Sequence, residues 1–233
     1  MNPHLTAAGV SLITNFITRG DLGPGKTLTD IWDVVLGNYF HALNEKSKAK
    51  YQLKIDDFKQ KLGEKILNIP KENVQDPQLS IVGQALEASK YHFDEEEIRE
   101  MFANLIASSM DSTYNGLVQH SFVEIIKQLS PHDAKLFKSL EMTSILFMHG
   151  NDYSFSSTDF PHFELNTLSL NNLKRLGLID IIYNYAINDS KEANTWERLI
   201  HPSRKLFDKP KEIFCHITRF GTAFKKVCIK DSL

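Results

Sequence analysis

Two consecutive segments decide the fold: Leu79-Ser-Ile-Val-Gly-Gln-Ala-Leu-Glu-Ala-Ser-Lys-Tyr91 and, after His92-Phe93, Asp94-Glu-Glu-Glu-Ile-Arg-Glu-Met-Phe-Ala-Asn-Leu-Ile-Ala-Ser-Ser-Met-Asp111. Leu79, Val82 and Leu86 recur at helical spacing in the first. Ile98, Met101, Phe102, Leu105 and Ile106 do so in the second, so each segment turns one apolar face inward. Asp76-Pro77 places a good cap before a proline at a first helical position. Asp94-Glu95-Glu96-Glu97 has the form of a capping-box start, and its acids suit the positive end of a helix. Ala103, Ala107 and Ser108 are small enough for close helix approach. Asp111–Gly116 then reads as a turn.

Upstream, Leu28, Ile31, Trp32, Val35, Leu36, Tyr39, Phe40 and Leu43 follow i, i+3, i+4, i+7 spacing and predict one strongly amphipathic helix. Thr27 or Thr29 would cap it. Residues 44–65 carry seven Lys against Glu45, Asp56, Asp57 and Glu64, a local +3. Ile55, Phe58, Leu62 and Ile66 form a narrower seam there, and Pro70 ends it. Residues 1–26, with Pro24 between Gly23 and Gly25, read as a Gly-containing lead-in.

Downstream, Phe122, Ile125, Ile126 and Leu129 make another helical face. Ser130-Pro131 restarts the chain as cap plus first-turn proline, followed by Leu136, Phe137 and Leu140. Tyr153–Phe163 is aromatic, Ser-rich and irregular. Leu165–Leu176 predicts a short helix stopped by Gly177. Leu178-Ile-Asp-Ile-Ile-Tyr183 is strand-like, Asn188–Asn194 is a polar turn region, and Ile213–His216 is the returning strand. Thr218 opens a last helix through Phe224 and Val227. The expected fold class is mainly α: a lead-in over 1–26, an all-helical domain over 27–129, and a mixed, winged-helix-like α+β module over 130–233.

The totals set limits. The chain has 233 residues, 42% of them hydrophobic, and a formal charge of −2. That composition supports a core, and the charge supplies no global field toward nucleic acid or an anionic membrane. Cys215 and Cys228 make no C-x-x-C motif, so a disulfide framework is not expected. Neither a signal-peptide pattern nor an apolar run approaching ~20 residues is visible, so a cytoplasmic protein without a membrane span is expected.

The two segments quoted first resemble the core of the Abi-alpha (abortive infection alpha) family. Ser121-Phe-Val-Glu-Ile-Ile-Lys-Gln-Leu-Ser-Pro131, Asn171-Asn-Leu-Lys-Arg-Leu-Gly-Leu-Ile179 and Thr218-Arg-Phe-Gly-Thr-Ala-Phe224 are similar to it as well, so the likeness runs from about Phe58 to Ile229. The resemblance implies a role in phage resistance, in which an infected cell dies or arrests before phage matures. It implies no reaction, because the family brings no settled catalytic residue that could be carried over. Helical ribonucleases of other abortive-infection families carry Arg-x4–6-His, and no Arg here has a His five to seven residues later.

The remaining candidates come from the residues. Gly20, Gly25, Lys26 and Thr27 match the phosphate-loop pattern G-x-x-x-x-G-K-[ST], in which backbone N–H groups and the Lys hold phosphates and the Thr holds Mg²⁺. The preceding stretch is a poor buried strand and no βαβ succession follows, which weighs against a nucleotide site. The nine His residues show no metal-ligand spacing, so no metal or other cofactor is expected. Residues 196–230 hold nine Lys/Arg against Glu197, Asp208 and Glu212, a local +6. Within that stretch Arg204, Lys205, Lys209 and Lys211 would sit on a wing. Asn171, Asn172, Lys174 and Arg175, with Asn166, Thr167 and Ser169, would decorate the helix before it, and these are side chains that read or grip DNA. Three readings follow: a non-enzymatic interaction protein with a protein partner or self-association through the Leu28–Leu43 face; a nucleic-acid-binding protein using the C-terminal part; and a nucleotide-binding protein using Gly20–Thr27.

Overall fold

The computed structural model describes residues 24–37, 39, 45–149, 152–155, 157–184 and 212–229. Among them are eight α-helices and one small antiparallel sheet, so the protein is mainly α. The chain divides into two units. One comprises Met1–Lys138 with Thr222–Leu233, the other Ser139–Gly221.

The first unit is helical. α1 (Pro24–Trp32) continues into a π-helical turn, Asp33–Gly37, and α2 spans Glu45–Leu67. α3 (Leu79–Ser89), α4 (Glu96–Ser109), α5 (Ser121–Lys127) and α6 (Pro131–Ser139) follow. Leu28, Trp32 and Leu36 are buried, and Trp32 stacks on Phe58 with ring centroids 5.7 Å apart. Phe40 and Leu43, expected on the same face, lie outside the described residues. Phe58, Leu62 and Ile66 bring the α2 seam into the core, as their spacing predicts. α4 is buried nearly all round. Its Ala103, Ala107 and Ser108 are fully buried, as close helix approach requires.

Helix ends follow the sequence in places. Ser130 and Asp133 cap α6 reciprocally: Ser130 N–H donates to Asp133 Oδ2 (2.8 Å) and Asp133 N–H to Ser130 Oγ (3.1 Å). Asp76-Pro77 does not cap α3, which begins two residues later with Gln78 at the cap position. Asp94 does not cap α4 either. That helix starts after Glu95, and Asp94 turns instead to Lys50 and Lys54 of α2.

The sequence-level expectation of irregular chain across 153–163 is corrected in part. Thr143–His149 (β1) and Asp152–Ser154 (β2) form strands ahead of α7 (Phe163–Arg175), β3 (Ile179–Asn184) and β4 (Glu212–Ile217). The order across the sheet is β2-β1-β4-β3, antiparallel throughout. β1 escapes a sequence reading because it is apolar on both faces and because its partner β4 lies far along the chain: Thr143 pairs with His216. Leu146, Ile213, Cys215, Ile217, Ile179 and Ile181 form the buried face. Gly177 takes φ 73° just past α7, which explains why a glycine stops that helix. Thr218 Oγ1 accepts from Gly221 N–H at 2.8 Å and so caps α8 (Arg219–Cys228).

Candidate functional site

The outer face of the sheet follows from strand alternation. If Leu146, Cys215 and Ile181 point inward, then Ile145, Phe214 and Ile182 point outward. The register sets these three side by side, Ile145 opposite Phe214 and Phe214 opposite Ile182. Ile145 is 61% exposed, Ile182 50%, and Phe147, two residues on from Ile145, 56%. One row away on one side stand Thr143, His216 and Asp180, and on the other Glu212 and Asn184 with Phe147. Thr143 Oγ1 lies 3.0 Å from His216 Nδ1, and Asn184 Nδ2 donates to Glu212 Oε2 at 3.4 Å. The result is an apolar row with a polar row on one flank and, on the other, Glu212 and Asn184 beside the apolar Phe147, an apolar centre with a partly polar rim. The sequence carried one signal for it. In Ile179-Asp-Ile-Ile-Tyr183 the apolar residues fall on both faces, more than a half-buried strand needs.

The residues proposed for nucleic acid separate into groups. Asn166 is fully buried and its amide donates to the carbonyls of Phe155 (2.7 Å) and Phe160 (2.8 Å). Thr167 Oγ1 donates to Tyr153 O at 2.9 Å, and Ser169 is buried. These three hold α7 in place. Asn171 and Asn172 lie on the accessible side, but Tyr153 Oη donates to Asn171 Oδ1 (2.8 Å) and the Arg175 guanidinium to Asn172 Oδ1 (2.8 Å). Lys174 and Arg175 are exposed in the last turn of α7. Arg204, Lys205, Lys209 and Lys211 lie outside the described residues, as does Gly20. Gly25, Lys26 and Thr27 fall in the opening turns of α1, which starts at Pro24.

The Lys-rich and acidic segments, separate in sequence, meet within the first unit. Lys50 and Lys54 of α2 pair with Asp94. Lys61 pairs with Glu96 (3.1 Å) and Asp57 (3.4 Å), and Lys65 with Glu100 (2.5 Å). Burial pulls the Lys61 ammonium downward, and the hydrogen bond to Glu96 with the charges of Asp57, Glu96 and Glu100 outweighs it, so its pKa ends up raised. Arg99 is buried beside this ladder. It donates to Asp57 Oδ2 at 2.9 Å and to the Phe93 carbonyl, while its Nε finds no partner. Asp94, Glu96 and Glu100 thus tie the start of α4 and the chain just before it to α2.

The described helices include none long and apolar enough to cross a membrane. The family model for abortive infection alpha matches residues 50–228, from within α2 to the last residue of α8. The chain belongs to that family. No curated protein and no solved structure matches it. Residues 79–111, inside the matched span, pack mainly inward here, so they specify the helical unit. On the exposed sheet face of this Abi-alpha protein, Phe214 and Ile182 lie on the two strands that the sequence predicts, and Ile145 on β1, which it does not.

Proposed function

We propose that this protein takes part in abortive infection through protein contact and without a reaction of its own, and that the outer sheet face is its contact surface. The family match supplies the abortive-infection setting. The observation that carries the contact reading is the row Ile145–Phe214–Ile182, apolar, accessible and bordered in part by polar side chains. Association buries such a row favourably.

The test is phage challenge of a bacterial host carrying the full chain or an Ile145→Ser/Ile182→Ser variant. The variant should fold, because both side chains are at least half exposed, and should lose protection in plaque counts. Full protection by the folded variant would remove the sheet face from the function.

A second reading has one observation in its favour. The strand order β1-β4-β3, with α7 before β3 and a long connection between β3 and β4, fits a winged-helix-like module, and α7 ends in exposed Lys174 and Arg175. Binding to DNA or RNA that falls steeply with salt and is lost in Lys174→Ala/Arg175→Ala would favour it.

A further inference from the structure

We infer that the partner of the outer sheet face is a second copy of this chain, docked face to face about a two-fold axis that runs across the strands along the Ile145–Phe214–Ile182 row. The inference rests on the contact reading above and names its occupant. The argument is the charge pattern of the face itself. A rotation about that axis sets each of the three apolar residues on its own counterpart and exchanges the flanking rows. Glu212 and His216 lie on β4 two positions either side of Phe214, so each would face the other across the interface. On β3, Asn184 and Asp180 exchange in the same way. The acids of β4 and β3 on this face, Glu212 and Asp180, thereby each meet a hydrogen-bond donor. When Thr143 donates to His216 Nδ1, the ring proton sits on Nε2 and can be given to Glu212. The other two-fold that a sheet face allows runs along the strands and sets Glu212 against Glu212, a like-charge contact. The pattern therefore selects one isologous arrangement.

Two sheets packed this way lie about 10 Å apart with strands about 30° from alignment. Three strands about 4.8 Å apart give a footprint well below the ~800 Å² per partner of a standard interface. The expected product is a weak dimer, populated only as concentration rises.

Sedimentation equilibrium of the full chain across the micromolar range tests this, with far-UV circular dichroism to confirm that each variant folds. The wild type should show a monomer–dimer equilibrium that weakens about tenfold or more in Ile145→Ser/Ile182→Ser. Glu212→Lys and His216→Glu should each weaken it, and the combined exchange should restore it. Within one copy these positions are about 13 Å apart along the strand, so restoration can only come from pairing between copies. A wild type that stays monomeric overturns the inference while leaving the contact reading to the plaque assay. Association that ignores the face variants, or single exchanges that the double does not rescue, overturns it as well.

Discussion

Gly221 sits against the carbonyl of Leu178 so closely that a β-carbon on it would fall 2.0 Å from the oxygen and 2.9 Å from the carbonyl carbon. Thr218 fixes this approach, its N–H donating to Leu178 O at 3.1 Å and its hydroxyl to Gly177 O at 2.7 Å. The obstacle is backbone, which cannot swing aside. Gly221→Ala should therefore destabilise by about 2–3 kcal/mol, as overpacking does when the neighbour cannot yield. Gly83 in α3 is the control, because a β-carbon there meets nothing within 4 Å. Gly83→Ala should stabilise by about 0.5–1 kcal/mol. Urea unfolding of both variants checks the pair, and equal effects would contradict the packing at Gly221.

Two buried polar side chains of α4 hold the end of α8. Asn104 donates to the Cys228 carbonyl at 2.9 Å and Ser108 to the Val227 carbonyl at 3.0 Å. These carbonyls belong to the last turn of α8, where no further turn supplies donors. Ser108→Ala should cost about 1–2 kcal/mol, the loss of one hydrogen bond with a buried acceptor left behind. Asn104→Ala should cost more, through the cavity it opens as well. Hydrogen exchange should speed up at the amides of 224–229 before it does in α3. Unchanged exchange there would mean that Phe224, packed edge-on to Phe122 at 5.2 Å, holds the helix by itself.

Much of the helical unit was legible because its signals are local. Leu62 and Ile66, or Ile98 and Phe102, declare a face within one or two turns, and Ser130-Pro131, Gly177 and Thr218 declare ends within a few residues. What escaped depends on distant pairing. β1 is a strand because β4 lies beside it, 73 residues separating Thr143 from His216. Lys65 and Glu100, 35 residues apart, look like two solvated charge runs until α2 and α4 meet. Asp94 had the composition of a cap, yet its carboxylate pairs with two lysines on α2 instead. The contact face followed the fate of β1: without that strand, Ile145 and Phe147 have no face to occupy.

The Glu97–Lys135 pair predicts an acid-side effect. Partial burial pushes the Glu97 carboxyl up. The hydrogen bond from Lys135 (2.9 Å), a backbone hydrogen bond at Glu97 and the charges of Lys135 and Arg99 together win, and its pKa is lowered. A carboxyl depressed in the folded state stabilises above its unfolded value and loses that contribution as pH falls through the folded one. Lys135→Ala should therefore raise the Glu97 pKa in an NMR titration and flatten the stability loss below the ordinary Glu range of about 4.3. The gain is small, because solvent screens an exposed pair. A Glu97 titration that does not move would show that its own backbone bond, and not Lys135, holds it down.

The two cysteines can report separately on the two units. Cys215 lies in β4 with no exposed surface, and burial, assisted by the Asp180 charge, pushes its thiol up to about 12. At pH 8 that leaves a thiolate fraction on the order of 10⁻⁴, and the reagent still has to reach it. Cys228, equally buried, lies in the other unit. In the native protein neither should react quickly with an aromatic disulfide reagent, and in denaturant both should. Single Cys→Ala variants then follow one thiol each, at the rate at which its surroundings open. Combining them with Gly221→Ala joins this prediction to the first. The clash with Leu178 lies inside the unit that holds Cys215, so Cys215 should speed up more than Cys228. Equal acceleration of both thiols would mean that the clash is released by global unfolding, and a fast native reaction at Cys215 would show that β4 opens from the sheet locally.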